Sequence, residues 1–458
     1  MSSPMNGQAV QVDLFKKYDV PAPRYTSYPT VPYWSESPTP EQWIAELKKG
    51  LEAPDAKLSI YVHVPYCETL CTFCGCNTTI TKDHKRESPY IDRVLKELDI
   101  YLAQVPEIAQ RETVCLHLGG GSPTFLSSPE LARLVKGIED RLKISSGGTF
   151  EGSIEVDPRR TTADQLKSLH ALGFERVSLG VQDFDPEVQR LVNRIQPFEQ
   201  TEAITKSARE LGYKSLNFDL IYGLPKQTAE TTRVMVEKTL ELRPDRIALY
   251  SFALVPWIKP AQRLFRDEDL PAGEAKRALY EQARQTLLKA GYVEIGMDHF
   301  ALPSDGLALA GKTKLHRNFM GYSDQRTEVL LGLGVSAISE APGCFHQNEK
   351  VLPVWEEAVD KGRIPGFRGH LLTEEDRKRR EQILKLMTRY EVELESDEQA
   401  NDAKDFLKTM VEDGLVEFSG RRLLVLDAGK PFLRNACLVL DARLRRKSPD
   451  TRIFSMSV

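Results

Sequence analysis

The sequence predicts an α/β fold: six strand–helix repeats forming an open or partial barrel, with an N-terminal extension and a mainly helical C-terminal domain. Three observations lead there. Short β-branched or aromatic runs recur between Leu58 and Ala253, stretches of helical period separate them, and the character changes after about residue 372. A chain of 458 residues fits roughly two to three domains.

Strands are predicted at Leu58–Pro65, Val114–Leu118, Ser153–Val156, Arg176–Val181, Ser215–Tyr222 and Arg246–Ala253. Apolar runs that end in glycine, proline or polar residues read as strands buried on both faces. Between them, Ser88–Val105 repeats apolar residues at helical spacing (Tyr90, Ile91, Val94, Leu95, Leu98). Ser128–Leu142 opens with a capping serine, Ser128, and a proline in the first turn, Pro129. Thr161–Leu172, Glu199–Leu211 and Thr228–Leu242 behave alike. Alternation of this kind implies parallel strands joined by right-handed crossovers. Six repeats without a seventh and eighth suit a partial barrel, and a doubly wound sheet fits the pattern equally well. In either, chemistry belongs at the carboxyl ends of the strands. The expected division is an extension over residues 1–50 covering the site, a barrel over 51–300, a connecting segment with active-site loops over 301–371, and a helical domain over 372–458.

In that last part Glu374–Thr388 and Asp397–Asp413 are charged amphipathic helices. Gly414–Phe418 and Arg421–Leu426 make a small hairpin, followed by a helix near Pro431–Arg445. The pattern has a winged-helix flavour, but a fold alone is no argument for DNA. A formal net charge of −4 offers no concentrated basic face for nucleic acid. Met1 to Val20 lacks the apolar core of a secretory signal. The apolar run Val329 to Ile338 is too short to span a bilayer. The expected setting is cytoplasmic, without a membrane partner, and a monomer is expected because no long heptad or exposed apolar stripe is evident.

Four of the seven cysteines lie between Cys67 and Cys76, whereas Cys115, Cys344 and Cys437 are isolated. A disulfide framework would spread its cysteines over a smaller secreted chain. The segment His63-Val-Pro-Tyr-Cys67-Glu-Thr-Leu-Cys71-Thr-Phe-Cys74-Gly-Cys76 directly follows the first predicted strand. Spacings of three and two residues let Cys67, Cys71 and Cys74 grip three irons of a cubane, leaving the fourth iron open. That open position suits the amino and carboxylate groups of S-adenosylmethionine. The competing reading is structural zinc, which needs a fourth ligand at suitable distance; no second Cys-x-x-Cys pair follows.

Other loops carry further candidates. Gly119-Gly-Gly-Ser-Pro123 follows the second strand, where bare backbone can approach a ligand and offer N–H groups, or simply turn the chain. Glu155 lies near the end of the third strand, and a carboxylate there needs partners, Arg159 being one at hand. Asp219, ending an apolar strand, can accept ribose hydroxyls. His299 and His316 are acid–base candidates, and Arg24 and Arg317 can clamp carboxylates; buried structural histidines and surface ion pairs are the plainer readings.

The Cys-x3-Cys-x2-Cys motif after a first barrel strand resembles the signature of radical S-adenosylmethionine enzymes. Arg24-Tyr-Thr-Ser-Tyr-Pro29, Cys74-Gly-Cys76, Gly180-Val-Gln-Asp183, Asp219-Leu-Ile-Tyr-Gly-Leu-Pro225, Met297-Asp-His-Phe300 and His316-Arg-Asn-Phe319 narrow it. Together they resemble the family of oxygen-independent coproporphyrinogen III oxidases, from about Tyr18 to the C-terminus. The resemblance implies a partial (β/α)6 TIM-like barrel of the radical SAM type, a [4Fe-4S] cluster on Cys67, Cys71 and Cys74, and two molecules of S-adenosyl-L-methionine. By resemblance, Tyr61, Gly120, Gly121, Ser122, Glu155 and Ile338 hold the first molecule; Phe73, Gln182, Arg194, Asp219 and Ala253 contact the second. No catalytic residue is assigned. The implied reaction turns two propionates of coproporphyrinogen III into vinyl groups, with an electron donor of flavodoxin or ferredoxin type. A haem-binding chaperone and a haem-degrading methyltransferase of the same branch are the alternatives. Ser122 stands where the family usually has threonine, Met320 where it usually has glutamine, and Met456 where arginine is common.

Overall fold

The computed structural model describes residues 14–34, 38–146, 148–257, 259–447 and 453–457. The reading of Met1–Val20 as free of a signal concerns residues 1–13 outside that set. The six strands form where expected: β1 (Lys57–Val64), β2 (Glu112–Gly120), β3 (Glu151–Val156), β4 (Phe174–Gln182), β5 (Ser215–Tyr222) and β6 (Arg246–Ser251). Each pairs in parallel with the next, from β1 to β6. Neighbours in space are neighbours in sequence, as around a barrel. No reversal of strand order occurs, so the doubly wound alternative falls.

The sheet extends past both edges of this series. Beyond β6 lie antiparallel β7 (Val293–Gly296) and β8 (His299–Ala301), with β8 next to β6. On the other side β9 (Val329–Leu333) pairs in parallel with β1, followed by antiparallel β10 (Ile338–Ala341), β11 (Cys344–Asn348) and β12 (Gly366–Leu371). The run set aside as too short for a bilayer is thus largely a fully buried strand and the turn after it. Its glycines obscure it in the sequence and are required by the packing: a Cβ on Gly332 would lie 2.6 Å from the Ile338 carbonyl oxygen.

The helices α1 (Pro40–Gly50), α2 (Glu87–Gln104), α3 (Ser128–Glu139), α4 (Ala163–Ala171), α5 (Phe198–Leu211), α6 (Ala229–Leu242) and α7 (Gly273–Lys289) cover the sheet. Thr39, Thr162 and Thr228 cap α1, α4 and α6 in reciprocal capping boxes with Gln42, Gln165 and Thr231. The capping position of α3 is Ser127 rather than Ser128, and its hydroxyl donates to Glu87 instead of accepting from the helix.

Alternation along the strands sorts the two faces. Leu58, Ile60, Val62 and Val64 of β1 are fully buried in the main core, where each contributes about 1.5–3 kcal/mol. The other face is polar: Tyr61 and His63, then His117, then Ser153 and Glu155, then Ser178, then Asn217 and Asp219 line the barrel's interior. A buried carboxylate, Glu97, points from α2 into the core and accepts from Gly334 N (2.8 Å), Asn348 Nδ2 (2.6 Å) and Trp355 Nε1 (3.1 Å).

The C-terminal part holds α8 (Glu374–Arg389), α9 (Asp397–Phe406) and α10 (Lys408–Glu412), with a three-stranded sheet of Glu391–Glu393, Arg422–Val425 and Val416–Ser419. The expected single helix near Pro431–Arg445 is instead short pieces, Asp427–Phe432, Leu433–Cys437, Leu438–Leu440 and Ala442–Arg446. Pro431 cannot donate within a helix, and Asp441 starts a new turn by accepting from Leu444 N. Tyr18, Tyr25 and Tyr28 of the N-terminal segment share this domain's core. Among the described residues no helix is long and apolar enough to cross a membrane.

Candidate active site

The loop after β1 carries the cysteines into a cavity of ≈ 270 Å³ at the carboxyl ends of the parallel strands. Cys67, Cys71, Cys74 and Cys76 line it on one side; Gly120, Gly121 and Ser122 line it from β2. Glu155, Gln182, Arg194 and Asp219 complete the wall from β3, β4, the segment after β4, and β5, with Phe73 beside them. Eleven of the fourteen residues expected as cofactor contacts or cluster ligands, Gly120, Gly121 and Ser122 among them, thus meet around one space. Three do not. Tyr61 lies deeper on β1, its hydroxyl 3.0 Å from His63 Nδ1 and its ring stacked on His117. Ile338 packs with Trp34, Phe345 and Leu372 away from the cysteines. Ala253 lines a separate groove of ≈ 940 Å³ just past β6.

The glycine-rich loop is held by the cysteine loop. Gly121 N donates to Val64 O (2.7 Å), Ser122 N to Tyr66 O (2.9 Å) and Gly120 N to Glu155 Oε2 (3.1 Å). These N–H groups are therefore spent inside the protein, a correction to the expectation that they face a ligand's carboxylate. What the glycines supply is close approach: a Cβ on Gly121 would sit 2.7 Å from the Pro65 carbonyl oxygen, and one on Gly120 2.7 Å from the His63 ring.

Charges around the thiols are arranged in layers. Asp157 binds Arg159 (Nη2–Oδ2, 2.6 Å) and Arg194 (Nη2–Oδ1, 3.3 Å), and both arginines also lie 3.6 Å from Cys71 Sγ. Arg194 donates to Gly180 O at 2.5 Å, while its buried Nε has no acceptor. Burial lifts Cys67 to about 12, with the neighbouring thiols adding to it. A hydrogen bond from the Cys76 thiol draws Cys74 down and pushes Cys76 up. Burial alone would raise Glu155, yet hydrogen bonds from His117 and Gly120 N hold its carboxyl below the usual range. Asp219 goes the other way: burial, then the Glu155 charge, push it to about 7 despite donors at Ser178 and Asn217.

The donor set fits the implied cluster and cofactor. Three thiols at the mouth of a barrel are soft iron ligands, and among the described residues no three His, Cys, Asp or Glu side chains gather as ligands to a single ion. Two carboxylates sharing a wall favour a cationic guest, which a sulfonium is, and the unpartnered Arg194 Nε offers a donor to an anionic group.

A second cavity of ≈ 150 Å³ shares Glu155, Ser178, Asp219 and Tyr250 with the first and adds His117, His299, Met320 and Tyr322. Of the remaining candidates, His299 Nδ1 lies 2.7 Å from Asp298 Oδ1, and Asp298 is ion-paired with Arg24. Arg317 stacks 4.5 Å over Tyr322, its Nε and Nη1 buried without acceptors. His316 is buried and lines neither cavity, and burial lowers its basicity. Sequence reasoning missed His117, Ser178, Asn217 and Tyr250, most of them signalled by polar residues at every second position of otherwise apolar strands; Arg159, expected as a partner for Glu155, instead binds Asp157 beside Cys71.

Three thiols on the first βα loop, a glycine loop behind them and carboxylates on the following strands define a radical S-adenosylmethionine enzyme. The radical SAM superfamily description matches residues 61–239. The chain is 40% identical over 456 residues to oxygen-independent coproporphyrinogen III oxidase of Escherichia coli strain K12, covering 97% of this chain and 98% of that one. With the Pseudomonas aeruginosa protein of the same name it shares 38% over 445 residues (94% and 95% covered). The solved structure of the Escherichia coli coproporphyrinogen III oxidase, described as a radical SAM enzyme, superposes with a TM-score of 0.86 at 39% identity, covering 92% and 97%. This chain belongs to the family of oxygen-independent coproporphyrinogen III oxidases.

Proposed function

We propose that this protein carries out the oxygen-independent oxidative decarboxylation of coproporphyrinogen III to protoporphyrinogen IX, a step of haem biosynthesis. The observation that carries the reading is the single cavity in which Cys67, Cys71 and Cys74 face Glu155 and Asp219 across the barrel mouth. Cys67, Cys71 and Cys74 would hold a [4Fe-4S] cluster. When reduced and bound, that cluster would supply the electron that cleaves S-adenosylmethionine, giving methionine and a radical able to take a hydrogen atom from a propionate β-carbon; loss of carbon dioxide, with one electron passing to an external acceptor, would then leave the vinyl group.

The protein's own part is placement and exclusion. Gly120, Gly121 and Ser122 let a ligand lie against bare backbone, and Glu155 accepts hydrogen bonds from it. Asp219 accepts ribose hydroxyls, and Arg194 offers Nε–H to an anionic group. Phe73, Gln182, Arg194 and Asp219 are proposed to hold a second S-adenosylmethionine; Tyr61, deeper in the barrel, and Ile338 and Ala253, outside this cavity, act in this reading through the walls they support. Holding reactants in fixed orientation at the mouth of the barrel is what such a reaction requires of its enzyme. His299, oriented by Asp298, is an acid–base group that lines the second cavity.

In the same reading residues 1–50 cover the site, 51–300 form the barrel, 301–371 supply loops and 372–458 close the molecule. Arg24, reaching Asp298 from the N-terminal segment, supports the first of these. An electron donor of flavodoxin or ferredoxin type would dock near the cysteine loop, where Cys76, Leu70 and Ile80 are exposed. A monomer and a cytoplasmic setting complete the reading we propose.

The test is anaerobic reconstitution with iron and sulfide, then incubation with reductant, S-adenosylmethionine and coproporphyrinogen III. Protoporphyrinogen IX with 5′-deoxyadenosine, both lost in Cys71→Ala, is the expected result. Cofactor cleavage with the propionates untouched would refute the substrate.

A further inference from the structure

Just inside the large groove past β6 lies a niche of ≈ 50 Å³ that shares Ser251 and Met456 with it. Four cationic side chains line the niche (Arg24, Arg277, Lys430 and Arg434) against one carboxylate, Asp298. Their partners leave an excess. Arg24 pairs with Asp298, Arg277 Nη2 lies 3.3 Å from Glu281, and Lys430 lies 2.8 Å from Asp427. Among the described residues Arg434 meets no carboxylate: Pro23 O (3.0 Å), Met456 O (2.7 Å), Ala22 O, and Ser455 O and Oγ take its hydrogen bonds. Arg277 is 7% exposed and its Nε is buried without an acceptor. A buried guanidinium with an unused donor beside an uncompensated one makes a receptor for one carboxylate, since an unpaired buried charge is otherwise unfavourable.

The surroundings say which carboxylate. The groove at the niche's mouth holds ≈ 940 Å³ and is walled by Phe252, Leu254, Trp257 and Leu270, with Lys16, Lys276, Asp19 and Glu274 around it. That volume falls in the range of roughly 300–1,000 Å³ typical of pockets for medium-sized organic ligands. On the opposite side, Arg24 lies 5.5 Å over Tyr250, whose ring lines both cavities at the cysteine end. A large apolar ring bearing several carboxylates could therefore lie in the groove with one carboxylate in the niche and another turned toward the cysteines.

We propose that Arg277 and Arg434, with Arg24, seat a propionate of the tetrapyrrole that the reaction leaves intact, and that the macrocycle rests on Phe252, Leu254 and Trp257. Seating one carboxylate fixes which edge of the ring meets the reacting centre. This rests on the substrate proposed above and adds where and how it is gripped.

The test measures dissociation constants of the reconstituted, anaerobic holoenzyme for coproporphyrin III and for its tetramethyl ester in the same mild detergent, by absorbance titration. Arg277→Gln should weaken the free acid ~10- to 100-fold, as loss of a charge-assisted hydrogen bond does, and leave the ester unchanged. Arg277→Lys should restore much of the acid's affinity, and Trp257→Ala should weaken acid and ester alike. Equal binding of the acid by wild type and Arg277→Gln overturns the niche while leaving the substrate intact. Parallel losses of acid and ester in both Arg277 variants also overturn it, assigning Arg277 to the fold. If the wild-type enzyme neither binds coproporphyrin III nor converts coproporphyrinogen III, niche and substrate fall together.

Discussion

Glu97 gives the sharpest test of the structure, because its carboxyl is fully buried with no cation beside it among the described residues. Gly334 N, Asn348 Nδ2 and Trp355 Nε1 donate to it, yet burial outweighs those three bonds and raises its pKa from 4.5 to about 8. A folded-state pKa above the unfolded one means that the native protein binds more protons between those two values. Stability therefore falls as pH rises from 4.5 to about 8 and levels off beyond. A shift of this size corresponds to on the order of 5 kcal/mol at 1.36 kcal/mol per unit. Glu97→Gln keeps an acceptor for Gly334 and Trp355 but cannot ionise, so this contribution to the pH dependence should vanish. Anaerobic thermal melts of both proteins from pH 5 to pH 9 read the effect, and wild type should lose several degrees more than the variant across the range. Wild-type and variant profiles that run parallel throughout would refute the assignment of an unpaired buried carboxyl to Glu97.

Other perturbations test the site. Glu155→Gln should raise the KM for S-adenosylmethionine ~10- to 100-fold, the loss of hydrogen bonds to a charged acceptor, read by 5′-deoxyadenosine formation over a cofactor titration. Affinity for the same cofactor should increase as pH rises through about 7, where Asp219 ionises, and Asp219→Asn should flatten that dependence in equilibrium binding. Gly121→Ala places a methyl 2.7 Å from the Pro65 carbonyl oxygen and 3.0 Å from that of Tyr66; reconstituted iron content should drop, with ~1–3 kcal/mol lost from stability. Asp376 is held far below the usual carboxylate range because hydrogen bonds from His370 and Arg443 outweigh its burial. A depressed carboxyl stabilises above its unfolded pKa and loses that contribution as pH falls through it, so Asp376→Asn should blunt acid denaturation below about pH 4 in urea melts.

The barrel was legible because each of its strands is an apolar run bounded by turn residues, and because long helices and strands alternate from Leu58 to Ser251, interrupted only by short pieces such as Lys143–Ile144 and Pro186–Leu191. Strands β9 to β12 were not. Gly332 and Gly334 interrupt the apolar signal, and their reason, the backbone of Ile338 and His63 packed against them, exists only after folding. The break at Pro431 was readable in principle, since proline ends helical hydrogen bonding. Within the site, the cysteines and the carboxylates Glu155 and Asp219 announced themselves by type and position. Arg159 did not, because a lone arginine two residues past an aspartate reads as a surface pair until Cys71 is found beside it. Arg277 and Arg434 were invisible for the same reason: one lies on α7 and the other in a short C-terminal helix, and nothing in either local pattern marks a charge that will be buried.

Arg434 also ties together the two ends of the described chain, since it grips Ala22 and Pro23 on one side and Ser455 and Met456 on the other, while Asn435 Nδ2 holds Tyr18 O at 2.8 Å. Residues most distant in sequence among those described are thus fastened into one knot beside the groove past β6. Affinity tags, linkers or trimming at the carboxyl end act directly on the wall of the groove past β6, and a preparation engineered there would report altered ligand handling in that groove with every cysteine in place.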